Sequence, residues 1–295
     1  MTAPTSRLAT PIPVVVSEPD GLADATMVQL RRLGPVTLGP FSRADLLKSV
    51  SSVGVLMVRL GHMIDAEVLA VAPHLKVIVS ATTGLNHIDL EVCKARGIEV
   101  ISTRDERAFL STITGTAELA LALLLNLARH VVSAHQDVLA GHWRRDDFRG
   151  VSLRGLTLGI IGMGRLGCLM AGYGQSLGMR VIAVDPSPLL VPPFVHMTCL
   201  HDLLSQSDAI SLHASHREGE APILGLEQFK VIKPGALLVN TARGELVDEK
   251  TVLEYLENGT LGACATDVLM KEATWDDLNL HPLVRYAKEH DNLII

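Results

Sequence analysis

The sequence lacks any arrangement of cysteines that would ligate a metal ion or form a redox-active pair. Four cysteines occur in 295 residues, they are widely separated, and none stands in a C-x-x-C motif. We therefore predict no metal centre, and we expect reduced, mostly buried thiols of a cytoplasmic protein. The four are Cys93, Cys168, Cys199 and Cys264.

The chain also lacks a basic block, a secretory signal and a long hydrophobic run. The formal net charge is −6 at pH 7, which argues against a nucleic-acid surface. The first ten residues are polar and contain no apolar core, unlike a secretory signal. The longest apolar run, Leu119–Leu127, is too short to span a bilayer, and Glu118, Asn126 and Arg129 interrupt or flank it. We predict a buried helix there.

The first hundred residues alternate short runs of β-branched residues with helical patterns. This alternation is typical of a parallel sheet with helices on both faces. The predicted strands are Pro13–Val16, Val53–Val58, Leu75–Ser80 and Ile98–Ile101, and the predicted helices are Gly21–Leu33, Arg43–Ser49, Ile64–Ala70 and Leu90–Ala95.

Two predicted helices, Thr114–His130 and Val131 to about His142, lead into a second alternating region. Their apolar faces predict core helices, and an interdomain hinge with a dimer contact is the alternative. The second region begins at Leu156 and repeats the strand–helix order. Its predicted strands are Thr157–Ile161, Arg180–Val184, Ala209–His213, Ala236–Asn240, Ala263–Thr266 and Asn292–Ile295, and its predicted helices are Arg165–Leu177, Leu200–Gln206, Leu226–Val231 and Glu249–Asn258.

A glycine motif lies between the first strand and the first helix of this second region. It reads Gly162-x-Gly164-x-x-Gly167, and Asp185 follows the next strand. Gly162 suits a tight turn, Gly164 lets a pyrophosphate approach the backbone, and Gly167 lets the helix pack on the strand. The helix N-terminus attracts phosphate. Because Asp185 accepts hydrogen bonds from ribose hydroxyls and repels a 2′-phosphate, the motif predicts NAD rather than NADP. Glycines that only form a turn are the alternative.

Six further segments carry a family resemblance. They are Thr83–Leu90, Gly115–Glu118, Gly141–Trp143, Lys233–Ala236, Val239–Asp248 and Asp267–Glu272. Together with the glycine motif, they resemble the D-isomer-specific 2-hydroxyacid dehydrogenases over nearly the whole chain. The resemblance implies an α/β fold of two lobes. A smaller flavodoxin-like substrate lobe spans 1–102, and a Rossmann-type doubly wound parallel sheet for NAD spans 103–295.

Arg243 and Asp267 follow predicted strand ends, where ligands bind in open α/β sheets. The Arg243 guanidinium is a permanently charged fork that suits a carboxylate and polarises a carbonyl as hydride arrives. The resemblance implies that Arg243 binds a 2-oxo acid, with a structural ion pair as the alternative. It also implies that Asp267 contacts the nicotinamide amide and that Glu272 keeps a catalytic His protonated. For these two acids the alternative is a solvated loop position.

The same matching assigns further cofactor contacts. Arg165 and Leu166 would lie on the pyrophosphate, Thr241 and Ala242 near the nicotinamide half, and Thr83 would reach the cofactor from the other lobe.

A substrate contact is assigned in the first lobe. The loop Val58-Arg59-Leu60-Gly61 resembles the segment whose backbone amides hold the substrate carboxylate, although the Arg59 side chain is equally well a plain surface group. We interpret His87 as a structural turn residue.

The chain departs from the family pattern at several places. Ala273 stands where the family usually has proline, and the loop Ser211–Glu218 lacks the usual proline after its histidine. The family's proton-donating histidine follows the strand that corresponds to Asn292–Ile295, so we expect it outside this sequence. A shortened chain is the favoured interpretation, with a natural truncation or a non-catalytic NAD-binding module as alternatives. Neither His213 nor His281 occupies the matching position.

These features predict an NAD-dependent oxidoreductase that transfers hydride between NAD(H) and C2 of a small D-2-hydroxy or 2-oxo acid. Glyoxylate, hydroxypyruvate and phosphoglycerate-like acids fit this class. A non-catalytic NAD(H)-binding regulator on the same fold and a formate- or phosphite-type dehydrogenase are the alternatives. We expect a cytoplasmic homodimer with no nucleic-acid or membrane partner.

Overall fold

The computed structural model describes residues 10–188, 190–217, 219–271 and 277–295. It divides the chain into two units, Met1–Thr112 and Ile113–Ile295. The division falls later than the predicted boundary between 102 and 103. The first unit also includes the 3-10 turn Thr103–Asp105 and the short helix Arg107–Leu110.

The first unit is built on a five-stranded parallel sheet with helices between the strands. Its elements are β1 (Val14–Val16), α1 (Asp24–Leu33), β2 (Val36–Leu38), α2 (Arg43–Ser49), β3 (Val55–Val58), α3 (Ala66–Ala70), β4 (Val77–Ser80), α4 (Leu90–Ala95), β5 (Glu99–Ser102) and α5 (Arg107–Leu110). The strand order is β2-β1-β3-β4-β5, with parallel pairing throughout. This 2-1-3-4-5 order is the flavodoxin-like arrangement, which confirms the predicted fold of this unit.

Both faces of this sheet are buried. Val15 packs with Leu56 in one hydrophobic cluster, whereas Val14, Val16 and Val55 pack in another. Successive side chains of a strand point to opposite faces, so continuous β-branched runs suit a sheet that is covered on both sides.

The second unit contains a seven-stranded parallel sheet. Its elements are α6 (Gly115–Arg129), α7 (Val131–Leu139), β6 (Thr157–Ile161), α8 (Arg165–Ser176), β7 (Arg180–Val184), β8 (Val195–Met197), α9 (Leu200–Gln206), β9 (Ala209–Leu212), α10 (Leu226–Phe229), β10 (Ala236–Asn240), α11 (Glu249–Glu257), β11 (Leu261–Thr266), α12 (Pro282–Ala287) and β12 (Leu293–Ile294). The order β12-β11-β10-β9-β6-β7-β8 contains the 3-2-1-4-5-6 order of the dinucleotide-binding fold. The predicted doubly wound sheet is therefore confirmed.

The apolar run from Leu119 to Leu127 lies in α6 and packs on the second sheet. By length and composition alone, the stretch Ala108–Arg129 would be long and apolar enough to cross a membrane. However, Ala120, Leu124 and Leu127 belong to a core cluster, and α6 packs against α8, β10 and β11. Core packing therefore accounts for one face of α6, and the predicted buried helix is buried only on that face, since Leu119 is 39% exposed.

Four of these elements were not predicted from the sequence. Two are the three-residue edge strands β2 and β8, which contain partly or fully exposed positions instead of a buried apolar run. The other two are the short helices α5 and α12. His281 is the N-cap of α12, and Pro282 occupies its first turn, where proline needs no amide hydrogen.

Candidate active site

The predicted site residues of the second unit follow four neighbouring strands. Gly162 follows β6, Asp185 follows β7, Arg243 lies on the loop after β10, and Asp267 follows β11. Because all these strands are parallel, their carboxyl ends lie along one edge of the sheet. That edge is where ligands bind in open α/β folds.

The three glycines of the turn have the separate roles that the motif predicts. Gly162 has φ +99°, and a Cβ there would lie 2.7 Å from the backbone of His213 and Ala214. A Cβ on Gly167 would overlap the Gly162 carbonyl, whereas Gly164 faces open space. Only Gly164 therefore leaves room for a ligand to approach the backbone.

The first turn of α8 fits a bound pyrophosphate. Gly164 is its N-cap and supplies no side-chain hydrogen bond to the helix amides, and uncapped amides at a helix N-terminus attract phosphate. Arg165 is half-buried, and its guanidinium donates to the Ile113 carbonyl. Leu166 is half-buried beside it. The pyrophosphate contacts of these two residues remain predictions.

Asp185 is bound to the glycine turn. Its Oδ2 accepts a hydrogen bond from the Met163 amide at 2.7 Å, and its Oδ1 accepts one from the Ser187 amide at 2.7 Å. A carboxylate has about four acceptor positions, so both oxygens can also accept from a ribose. Asp185 therefore shapes the turn as well as presenting a negative charge beside it.

Asn240, which is not among the predicted site residues, shapes the loop that carries Arg243. Its Nδ2 donates to the Arg243 carbonyl at 2.8 Å, and its Oδ1 accepts from the Ala242 amide at 3.1 Å. Thr241 is buried, and its Oγ1 has no hydrogen-bond partner among the described residues. A buried hydroxyl without a partner is costly, so a cofactor group that binds it fits this position.

Arg243 is exposed. Its Nη1 donates to the Ala242 carbonyl at 2.6 Å, and no carboxylate of the described ranges forms an ion pair with it. The structural ion pair considered as the alternative is therefore not formed within those ranges.

Asp267 is also exposed, and its amide donates to the Asn240 carbonyl at 3.3 Å. Glu272, the predicted partner of a catalytic histidine, lies outside the described residues. The roles of Arg243, Asp267 and Glu272 remain predictions.

The predicted substrate loop of the first unit already holds a carboxylate. The amides of Arg59 and Gly61 donate to the two oxygens of Glu18, each at 2.7 Å. Burial alone would raise the pKa of Glu18, but these hydrogen bonds, with one from Ser17 and the charge of His62, outweigh it and lower the pKa.

The other predicted groups of the first unit are exposed. Leu60 is 61% exposed, Thr83 lies exposed on the loop after β4, and the Arg59 guanidinium donates to the Asp20 carbonyl at 3.1 Å. Their contacts to ligands remain predictions.

The two histidines near the carboxyl edge of the second sheet are structural. Burial lowers the pKa of His213 to about 4, so it is neutral near pH 7, and its Nε2 lies 2.9 Å from Ser211 Oγ. His281 is fully buried, and its Nδ1 accepts the Leu283 amide hydrogen at 3.2 Å. That neither histidine replaces the proton donor remains a prediction.

Comparison with known families agrees with this geometry. Residues 121–295 match the family described as D-isomer specific 2-hydroxyacid dehydrogenase, NAD binding domain, and residues 22–142 match the catalytic domain of the same family. The chain belongs to the D-isomer specific 2-hydroxyacid dehydrogenases. The match to the NAD-binding domain confirms NAD as the cofactor.

Individual relatives are similar over most of the chain. It is 36% identical over 270 residues to D-3-phosphoglycerate dehydrogenase from Mycobacterium leprae (strain TN), covering 90% of this chain and 50% of that one. It is 34% identical over 243 residues to hydroxypyruvate reductase from Thermotoga maritima, covering 82% of this chain and 78% of that one. The crystal structure of the TT0316 protein from Thermus thermophilus is 35% identical, with a TM-score of 0.84 and coverage of 96% and 88%. The chain spans about half the length of the curated phosphoglycerate dehydrogenases that it matches.

Proposed function

We propose that the full-length protein transfers hydride between NAD(H) and C2 of a small D-2-hydroxy or 2-oxo acid. The observation that carries this proposal is Arg243, an exposed guanidinium at the carboxyl edge of the dinucleotide-binding sheet without a carboxylate partner in the described ranges. A planar cation at this position suits the carboxylate of a 2-oxo acid. Its charge would also stabilise the oxygen at C2 as the carbonyl is reduced.

The other residues orient the reacting groups. Bound NAD supplies or accepts the hydride. The α8 N-terminus at Gly164 would hold the pyrophosphate, and Asp185 would accept hydrogen bonds from the ribose. Asp267 would hold the nicotinamide amide, and Glu272 would favour the protonated form of a histidine that delivers the proton.

An NADH-oxidation screen of the full-length protein tests this proposal. Hydroxypyruvate and 3-phosphohydroxypyruvate come first because relatives of this chain are named for the corresponding activities, and glyoxylate and pyruvate complete the series. We expect turnover with at least one of the four. Tight NAD binding without turnover on any of them would contradict the proposal and favour a non-catalytic NAD(H)-binding regulator.

Substitution of Arg243 separates binding from chemistry. We expect Arg243→Ala to lower kcat/KM about 10²–10³-fold, the range for loss of a charge-stabilising donor, while NADH binding stays close to that of the wild type. Arg180→Ala is the matched control because Arg180 is an exposed arginine at the start of β7, away from the carboxyl edge. Equal losses of NADH binding and turnover in Arg243→Ala would make Arg243 a structural residue instead.

We further propose a homodimer whose interface includes α7 and the segment after it. Val138, Leu139 and Trp143 are 46%, 73% and 81% exposed, and grouped exposed apolar side chains are typical of interaction surfaces. Leu139→Asp is expected to convert a wild-type dimer into a monomer in sedimentation velocity, and a monomeric wild type would contradict the dimer.

We also propose a cytoplasmic location, which the four free cysteines support. Cell fractionation with compartment markers tests it, and recovery outside the cytoplasm would contradict it.

A further inference from the structure

The loops after β10 and β11 meet through their backbones at Gly244. A Cβ on Gly244 would overlap the Leu269 and Met270 backbone. Arg243 immediately precedes this contact, and Asp267 lies on the opposite loop. The relative position of the two predicted ligand-binding residues therefore depends on how these loops are held together.

Two carboxylates, Glu245 on the first loop and Glu249 at the start of α11, bind amides of the second loop. Oε1 of Glu249 accepts the Met270 amide hydrogen at 2.6 Å, and Oε1 of Glu245 accepts the Lys271 amide hydrogen at 3.2 Å. Hydrogen bonds to an ionised acceptor are roughly twice as strong as neutral ones. The chain on either side of this contact therefore has limited freedom to shift.

Glu249 also contacts a third element. His281 Nε2 lies 3.3 Å from the other oxygen of Glu249. Because Nδ1 of His281 accepts the Leu283 amide hydrogen, the neutral imidazole carries its proton on Nε2, facing Glu249. One carboxylate thus joins the start of α11, the loop after β11 and the start of α12.

This arrangement lowers the stability of the fold when Glu249 is ionised. Burial raises the pKa of Glu249, and the charges of Glu245 and Asp248 raise it further, against the opposing effects of the Met270 amide and His281. Cys264 faces it from β11, but burial raises the pKa of that thiol to about 12, so it stays neutral. A raised folded-state pKa contributes stability at low pH that is lost as the pH rises through that pKa.

We propose that Glu249, together with His281, is a positioning residue of the site that fixes the Asp267 loop against the Arg243 loop. Glu249 is present for this geometry in spite of its effect on stability, as is common at functional sites. What the loops do once they are positioned rests on the proposed function. The loop contact itself does not depend on turnover, so the two proposals can fail separately.

Glu249→Gln tests this role because it keeps the shape of the side chain and removes the charge. Glutamine has one acceptor oxygen, so it cannot place an oxygen against both the Met270 amide and the His281 ring, which different oxygens of Glu249 face. Glu257→Gln is the matched control, since Glu257 lies exposed on the same helix. The readouts are the melting temperature, hydrogen exchange of the 266–271 peptide and the Kd for NADH.

We expect the melting temperature of Glu249→Gln to be no lower than that of Glu257→Gln. We expect its amide hydrogens to exchange faster than those of the wild type in the 266–271 peptide and in no other peptide. We expect its NADH Kd to rise about tenfold, which corresponds to the loss of one charge-assisted hydrogen bond. A structural anchor would give the opposite pattern, with a lower melting temperature and faster exchange throughout α11 and β11. That pattern, or wild-type exchange in the peptide, would overturn the proposal.

His281→Asn provides a second, independent variant. Asparagine is a strong N-cap and can accept the Leu283 amide hydrogen, so α12 keeps its cap while the contact to Glu249 is lost. We expect faster exchange of the 266–271 peptide, and a double variant with Glu249→Gln that is no worse than the stronger single variant. Fully additive effects on exchange would show that the two residues act separately and would overturn their pairing. If the wild type turns over none of the acids, the exchange and NADH readouts still decide this proposal.

Discussion

Both units hold a loop at the carboxyl edge of the sheet with a carboxylate from the neighbouring strand's loop. In the first unit, Glu18 after β1 accepts the amides of Arg59 and Gly61 after β3. In the second, Glu249 after β10 accepts the amide of Met270 after β11. The contacts are alike, but the pKa of Glu18 is lowered and the pKa of Glu249 is raised. The ionised carboxylate therefore stabilises the first unit and destabilises the second.

The surroundings explain this difference. Glu18 accepts two amide hydrogens and a hydroxyl hydrogen from Ser17, so its charge is compensated locally. Burial is the main cause that raises the pKa of Glu249, and the nearby acids Glu245 and Asp248 raise it further, while one amide hydrogen bond and His281 only partly oppose them. A substrate carboxylate that used the same two amides, as the sequence predicts, would have to displace Glu18.

The largest expected effect comes from adding a methyl group at the two loop contacts. In Gly244→Ala the Cβ meets the backbone of Leu269 and Met270, which cannot move aside cheaply, so we expect a loss of about 3 kcal/mol or more in unfolding free energy. In Gly61→Ala the Cβ meets the end of the Glu18 side chain at 2.8 Å, which can shift slightly and keep its hydrogen bonds to the Arg59 and Gly61 amides, so we expect about 1 kcal/mol or less. Urea unfolding of both variants measures the contrast.

Gly172→Ala controls for the glycine-to-alanine change itself. Gly172 lies within α8, and a Cβ there meets nothing within 4 Å, so alanine should leave the stability unchanged or raise it by up to about 1 kcal/mol. Comparable losses in Gly244→Ala and Gly61→Ala would contradict the distinction between a backbone contact and a side-chain contact.

A smaller effect is expected from neutralising Glu18. Glu18→Gln keeps one acceptor and places an NH₂ group against the second amide, so we expect a loss of about 1–2 kcal/mol in unfolding free energy at pH 7. Asp20→Asn makes the same change of charge two residues away at an exposed position and should have little effect. Measured beside Glu249→Gln, this variant should be the less stable of the two. If Glu249→Gln were instead the less stable variant, the ionised carboxylates of Glu18 and Glu249 would not have opposite effects on stability.

The sequence predicts the alternation of strands and helices well, because buried β-branched runs and turn residues are local signals. The glycine turn, Asp185 and the strand-end position of Arg243 are predictable for the same reason. The edge strands β2 and β8 are not, since they are short and partly exposed. Glu18 and Glu249 are not predictable either. Their partners lie 41 and 21 residues away, and only the pairing of neighbouring strands brings them together.

The smallest expected effect is a difference between the two loops in the pH at which their amides lose protection from hydrogen exchange. Amide protection factors, corrected for intrinsic exchange, measure this pH for each loop. A lowered folded-state pKa gives stability that is lost only as the pH falls through it, so Arg59 and Gly61 should keep their protection below the ordinary glutamate value of 4.5. Burial raises the pKa of Glu249, whereas the hydrogen bond from the Met270 amide lowers it, so protonation above 4.5 stabilises the fold as a whole but weakens this one bond. The protection of Met270 should therefore fall at a higher pH than that of Arg59 and Gly61. Glu18→Gln should abolish the pH-dependent loss of protection at Arg59 and Gly61, and Glu249→Gln should abolish the one at Met270. Simultaneous loss of protection in both loops would show that global unfolding, and not the two carboxylates, sets the pH dependence.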